Sequence, residues 1–251
     1  MNRLKQAFQE KRQTIGLWQA LANAYTAEIC AGAGYDWLMF DGEHSPNTLS
    51  ALVAQLQAVS AYPVEPVVRP PIGDPVMIKQ YLDIGFRTLL IPMVDTAAQA
   101  KHMVAATRFP PAGIRGVASA TSRASGFGTN TRYLAEAHTH ICLVIQIESR
   151  SALDQIEAIA AVEGVDALFI GPGDLAGSLG HLGDPGHPDV RAAIDNAVAR
   201  IQAAGKPAGV FAKDAEQAKA YFAAGVSFVS VGTDVGLLAG GARDLAARCR
   251  A

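Results

Sequence analysis

The stretch "AGAGYDWLMFDGEH", residues 31–44, sets how the whole chain is read. Small residues ending in Gly34 read as the close of a helix, since glycine takes the left-handed turn that ends many helices. Trp37–Phe40 then run without alternation, as strands covered on both faces do. Asp41, Glu43 and His44 follow at once, placing three titratable side chains directly after a core strand. The first seven letters have echoes in "LDIGFRT" (82–88) and "FAAGVSF" (222–228). Each reads as a helix end, a glycine and the next strand.

Working outward, similar apolar runs recur at 14–19, 65–70, 88–94, 141–149, 167–172, 207–212 and 228–234. Between them lie Ala- and Leu-rich helical stretches at 24–33, 48–61, 75–84, 97–106, 151–162, 189–204 and 215–224. Several end near Gly34, Gly85, Gly164, Gly205 or Gly225. A chain of 251 residues fits two small domains or one large barrel. Eight strand–helix units favour a closed (β/α)8 TIM barrel, which needs ~250 residues, over an open doubly wound sheet. No linker or composition shift marks a second domain, so 1–251 is expected to be one domain. Residues 107–140 break the rhythm with glycines, serines and four arginines. So long a connection is usually functional, and it is expected to form a lid or subunit-contact loop on the active-site side.

Half the residues are hydrophobic and 18% are charged, enough to bury a large core. Lys plus Arg is 21 against 23 acids, with no basic stripe, which argues against nucleic acid and anionic membrane as partners. No apolar run approaches the ~20 residues a membrane helix needs, and the first residues lack an apolar signal core. Cys30, Cys142 and Cys249 are far apart and odd in number, which points to a reducing cytoplasm rather than a disulfide framework.

In such barrels the chemistry sits at the C-terminal ends of the strands. Those ends carry Asp41, Glu43 and His44, then Arg69, then Gln146 and Glu148, then Asp174 in "GPGDL". Each has an ordinary reading. Asp174 can cap a helix, Arg69 can be a solvated rim residue and His44 a turn histidine. Gln146 and Glu148 resist that reading, because alternate strand positions share a face and an unpaired buried carboxylate is costly. Glu148 and Asp174 are two hard oxygen donors, the number Mg²⁺ commonly takes from a protein. They leave room for a 2-oxo acid whose keto oxygen meets a Lewis acid that stabilises an enolate. Arg69 adds positive charge beside the developing oxyanion. Histidine is the side-chain type best suited to exchanging a proton at physiological pH, which makes His44 the natural general base. None of the seven lysines lies in an expected strand, which disfavours a Schiff-base route.

The words "DGEHSPN", "VVRP", "QYLDIG", "RFPPAGIRGV", "QIES", "VDALFIGPGDL" and "HPDV" resemble those of the HpcH/HpaI family of metal-dependent class II pyruvate aldolases. The best-known members cleave 4-hydroxy-2-oxoheptane-1,7-dioate, and close relatives cleave 2-keto-3-deoxy sugar acids. The resemblance implies a divalent metal (Mg²⁺, Mn²⁺ or Co²⁺) and aldol cleavage to pyruvate and an aldehyde, in aromatic or sugar acid catabolism. It also implies a homohexamer, a trimer of dimers with the last helix exchanged between partners. By position, His44 matches the base, Arg69 the enolate-stabilising residue, and Asp83 an acid that raises the histidine's basicity. Glu148 and Asp174 match the metal ligands, Gln146 and Gly173 the pyruvate contacts, and Asp41 a supporting acid. Phe211 falls where relatives carry an aliphatic residue lining the aldehyde pocket. Gly173 is often Ala or Ser in relatives, so aldehyde preference stays open. Two alternatives use much of the same apparatus: an oxaloacetate-type 2-oxo acid decarboxylase, and a non-catalytic barrel that binds a carboxylate.

Overall fold

The computed structural model describes residues 2–250. Eight strands close a parallel barrel in sequence order. They are β1 (Thr14–Gln19), β2 (Trp37–Asp41), β3 (Glu65–Arg69), β4 (Thr88–Ile91), β5 (Cys142–Ile147), β6 (Ala167–Ile170), β7 (Ala208–Ala212) and β8 (Phe228–Thr233). The helices around and beneath it are α1 (Arg3–Gln9), α2 (Ala24–Ala31), α3 (Leu49–Val59), α4 (Pro75–Ile84), α5 (Ala97–Thr107) and α6 (Tyr133–His140). After β5 come α7 (Arg150–Asp154), α8 (Ile156–Ala160), α9 (Pro172–Ser178), α10 (Pro188–Ala203), α11 (Ala215–Ala223) and α12 (Asp234–Arg250).

The helix ends follow local chemistry. At α4, the Asp74 carboxylate accepts the Val76 and Met77 amides, and Pro75 starts the helix without needing a donor. Gly85 ends it at φ 113°, a backbone that a side chain would strain. The α5 entrance is a capping box between Thr96 and Gln99.

Burial follows the two-residue period of the strands. Trp37, Met39, Val67, Leu90, Val144, Phe169 and Phe228 fill the barrel interior, with Leu4 of α1 plugging its base. Leu38, Phe40, Val68, Leu89, Leu143, Ile145 and Leu168 face outward into the helix layer. This alternation aims the strand-end residues. Positions 41, 69, 146 and 148 continue the inward rows of 39, 67 and 144 past the top of the core. A strand whose apolar row ends in a polar residue delivers that residue to the barrel mouth.

Two expectations need correcting. The helix expected over 151–162 is two short helices, broken where Gln155 leaves helical geometry at φ −112°, ψ 9°. Residues 107–140 do not lie on the active-site side. They join the end of α5 to the start of β5, so they run at the opposite end of the barrel, where helices lead into strands. The Arg115 guanidinium, buried there, donates to Asp83 at 2.7 Å and to the Tyr133 hydroxyl at 2.8 Å, and stacks over Phe109. Arg123 donates to the Ile84 carbonyl at the end of α4. The four arginines that made the segment look functional include the ties that hold it to the scaffold.

α12 leaves the barrel. Its first residue, Asp234, is buried and accepts the Ala20 and Leu21 amides at 2.8 and 3.1 Å. Leu237, Leu238 and Leu245 beyond it face solvent. Among the described residues no helix is long and apolar enough to cross a membrane.

Candidate active site

The mouth of the barrel holds a cavity of about 400 Å³ lined by Trp18, His44, Arg69, Gln146, Gly173, Asp174 and Phe211, among others. Six of the nine residues singled out in the sequence line it, and Asp41 and Glu148 join them through contacts to Arg69 and Gln146.

Arg69 is the anchor. Only 6% exposed, it donates from Nε to Asp41 Oδ1 at 2.9 Å and from Nη2 to Asp41 Oδ2 at 2.8 Å, a bidentate pair. Its Nη1 lies 2.8 Å from Glu43 Oε2, and its plane lies 5.0 Å over the Trp18 ring. β2 and β3 pair Asp41 directly with Arg69, so the register itself builds the contact. Burial works against ionisation of Asp41, but the hydrogen bonds and charge of Arg69 outweigh it and hold the carboxyl below its usual range. Asp41 Oδ1 also accepts the Glu43 and His44 amides, which fixes the turn carrying the histidine.

The His44 side chain is 64% exposed, with Nε2 3.6 Å from Glu43 Oε2. Burial raises the pKa of Glu43, and Arg69 opposes that rise. Glu43 thus bridges the fixed guanidinium and the open imidazole.

Glu148 is 3% exposed. Its Oε1 accepts the Met93 amide at 2.8 Å and its Oε2 accepts the Gln146 side-chain amide. Met93 offers that N–H from a left-handed backbone, φ 54°, unusual for a residue with a side chain. Burial pushes the Glu148 pKa up to about 7, with the charges of Asp174 and Glu43 adding to the rise. Gly171 lies against this pair, where a Cβ would come within 2.8 Å of both Gln146 Nε2 and Glu148 Oε2. Asp174 sits exposed in the first turn of α9 and does not cap it, since the N-cap position, Gly171, has no side-chain bond.

These oxygens suit a hard divalent cation. Gln146 Oε1 is buried without a hydrogen-bond partner beside a carboxylate that burial leaves reluctant to ionise. A cation beside Glu148 would favour its ionised form, Asp174 is a second oxygen donor at the same rim, and an all-oxygen donor set is the one Mg²⁺-like ions take.

Asp83 is the exception. It sits at the far end of α4, about 13 Å along the axis from the N-cap at the rim, with its carboxylate committed to Arg115. A single chain does not bring it to His44, and Glu43 is the acid that contacts the histidine. The sequence reading left Trp18 and Glu43 without roles. Trp18 closes the run "TIGLW" of β1, where its inward position was legible, but stacking on an arginine from another strand is a tertiary fact. Phe211 is where expected, with its ring edge-on to Trp18 at 5.7 Å.

A buried guanidinium, an open imidazole and a paired acid set at the mouth of a closed parallel barrel define a barrel enzyme. Residues 14–240 match the family model described as HpcH/HpaI aldolase/citrate lyase. The chain is 58% identical over 246 residues to a hydroxypyruvate/pyruvate aldolase of Deinococcus radiodurans, covering 98% of this chain and 89% of that protein. It is 52% identical over 247 residues to a 4-hydroxy-2-oxo-heptane-1,7-dioate aldolase of Salmonella heidelberg, covering 98% and 94%. A crystal structure of an HpcH/HpaI aldolase/citrate lyase family protein from Burkholderia cenocepacia superposes with a TM-score of 0.96 at 43% identity, each chain fully covered. The chain belongs to the HpcH/HpaI aldolase/citrate lyase family. With that membership comes its class, a carbon–carbon lyase of the aldolase type.

Proposed function

We propose that this chain cleaves a 4-hydroxy-2-oxo acid reversibly to pyruvate and an aldehyde, with His44 as general base. The observation that carries the reading is the clamped Arg69 beside the Gln146–Glu148 pair, with an open imidazole at the mouth of the same cavity. The relatives named as pyruvate and 4-hydroxy-2-oxo acid aldolases support it.

Asp41, Glu43 and Trp18 hold Arg69 so that its charge faces the cavity before substrate arrives, and no reorganisation is needed when an oxyanion develops. Gln146 and Gly173 line the floor on which the 2-oxo acid lies. In the cleavage direction His44 Nε2 takes the proton from the C4 hydroxyl as the C3–C4 bond breaks to release the aldehyde, and that proton then passes to C3 to give pyruvate; condensation runs the same transfers in reverse. Glu43 steadies the resulting imidazolium. Phe211 and Trp18 form the apolar wall that meets the aldehyde and excludes water. Glu148 and Asp174 would hold a divalent cation, which would supply Lewis acidity toward the 2-oxo acid's oxygens; Mg²⁺, Mn²⁺ and Co²⁺ fit the donors. Incubation with Mg²⁺, pyruvate and a panel of aldehydes should give carbon–carbon bond formation that stops in excess EDTA. A pyruvate adduct trapped on a lysine by borohydride would overturn the reading.

We further read the chain as a cytoplasmic homohexamer, a trimer of dimers that exchanges α12. Leu237, Leu238 and Leu245 support this, since an apolar helix face turned to solvent asks for a partner. Cys30, Cys142 and Cys249 are all unpaired, as in a reducing compartment. Light scattering coupled to gel filtration tests the assembly.

A further inference from the structure

A second set of metal-ligating side chains lies outside the aldolase rim, in the connection from α9 to α10. Two turns build it. The Asp184 amide donates to the His181 carbonyl at 2.9 Å, and the His187 amide donates to the Asp184 carbonyl at 3.1 Å. This fold-back stacks the two imidazoles, with ring centroids 3.6 Å apart and planes 15° from parallel. Asp189, in the first turn of α10, brings its carboxylate to both rings. Its Oδ2 is 3.3 Å from His181 Nε2 and 3.8 Å from His187 Nδ1. One donor atom from each residue lies within 4.8 Å of the other two.

We propose that His181, His187 and Asp189 form a binding site for a borderline divalent cation of the Zn²⁺, Co²⁺ or Ni²⁺ kind, separate from the oxygen site at Glu148 and Asp174. Tetrahedral zinc with bonds of ~2.0–2.1 Å sets its donors about 3.3–3.4 Å apart. The His181–Asp189 pair already has that spacing, and the His187–Asp189 pair is slightly wide. Stacked rings aim their lone pairs side by side, so ligation turns the His187 ring until its nitrogen converges on the others. His187 Nδ1 now accepts the Asp189 amide at 3.2 Å as the N-cap of α10, and that bond is exchanged for the metal. Two imidazoles and one carboxylate select such ions over Mg²⁺, which prefers oxygen. Three protein ligands leave a fourth position for water.

The position gives the site a consequence. Pro185 and Gly186, between the two histidines, line the same cavity as His44 and Phe211. A cation that ties His181 to His187 pins that lip of the pocket. The proposal does not depend on the aldolase reading, because it concerns binding alone.

The test is Co²⁺ and Zn²⁺ titration of the full-length protein in excess Mg²⁺, followed by calorimetry and by the visible d–d bands of Co²⁺. The wild type should bind one more equivalent per chain than His181→Ala or Asp189→Asn, and Glu148→Gln should keep that equivalent. Circular dichroism confirms that each variant is folded, and His181→Gln replaces His181→Ala if it is not. Equal stoichiometry in the wild type and the folded His181 and Asp189 variants would overturn the proposal. So would loss of the extra equivalent in Glu148→Gln alone.

Discussion

Replacing Glu148 with Gln should make the metal-free protein more tolerant of rising pH. Burial lifts the Glu148 pKa from 4.5 to about 7 in the fold, while in the unfolded chain it returns to the ordinary value. Between those values the folded state holds the proton more tightly than the unfolded one, so stability falls as pH rises, and the loss is complete above about pH 7. At 1.36 kcal/mol per pKa unit, the cost between pH 5 and pH 8 is roughly 2–3 kcal/mol. For a chain of this size that is a Tm change of roughly 5–10 °C. The assay is thermal unfolding at both pH values in excess chelator, wild type against Glu148→Gln. Other titrating groups shift both proteins alike, so the difference between the two isolates Glu148. The wild type should lose the larger share of its stability, and saturating Mg²⁺ should restore it, since a ligand at 100 times its Kd adds about 2.7 kcal/mol. If both proteins change equally with pH in chelator, the carboxylate is not strained by burial and the case for a cation at this position fails.

Other outcomes follow from the same geometry. His44→Ala should lower turnover by roughly 10²–10⁴-fold, as loss of a general base does, while pyruvate affinity by calorimetry holds; a collapse of metal binding would instead make His44 a ligand. Phe211→Ala should admit bulkier aldehydes, with selectivity shifts of ~1–3 kcal/mol in kcat/KM, and a loss of pyruvate binding would show that the wall serves the other half of the site. Asp83→Asn should destabilise the fold by roughly 1.5–3 kcal/mol, the scale of a hydrogen bond to a charged group, because it strips the buried Arg115 of its carboxylate; an unchanged urea midpoint would contradict that.

Much of this was legible before any coordinates. Unbroken apolar runs separated by helical stretches gave all eight strands, because a strand covered on both faces has no polar side to show. Gly34, Gly85, Gly164, Gly205 and Gly225 all take positive φ at the unit boundaries. The polar pair Gln146 and Glu148 announced itself by sharing the inward face of an apolar strand. The rest depended on three-dimensional facts. Asp83 could be placed only by resemblance, and its local sequence is that of any helix end; which end of the barrel it faces follows from the direction of α4. Residues 107–140 looked like a lid by composition, yet topology puts every helix-to-strand connection at the base. The break at Gln155 and the stacking of Trp18 on Arg69 are set by packing between distant segments, which no local pattern records.

The central claim is that this barrel turns pyruvate into a nucleophile with the help of a divalent cation at Glu148 and Asp174. Proton NMR of pyruvate in deuterium oxide reads that step directly, with no aldehyde present. The account predicts enzyme-dependent exchange of the methyl protons in Mg²⁺, abolished by EDTA and by Glu148→Gln. Exchange that persists undiminished after chelation, or a wild-type enzyme that leaves the methyl signal intact, would contradict it.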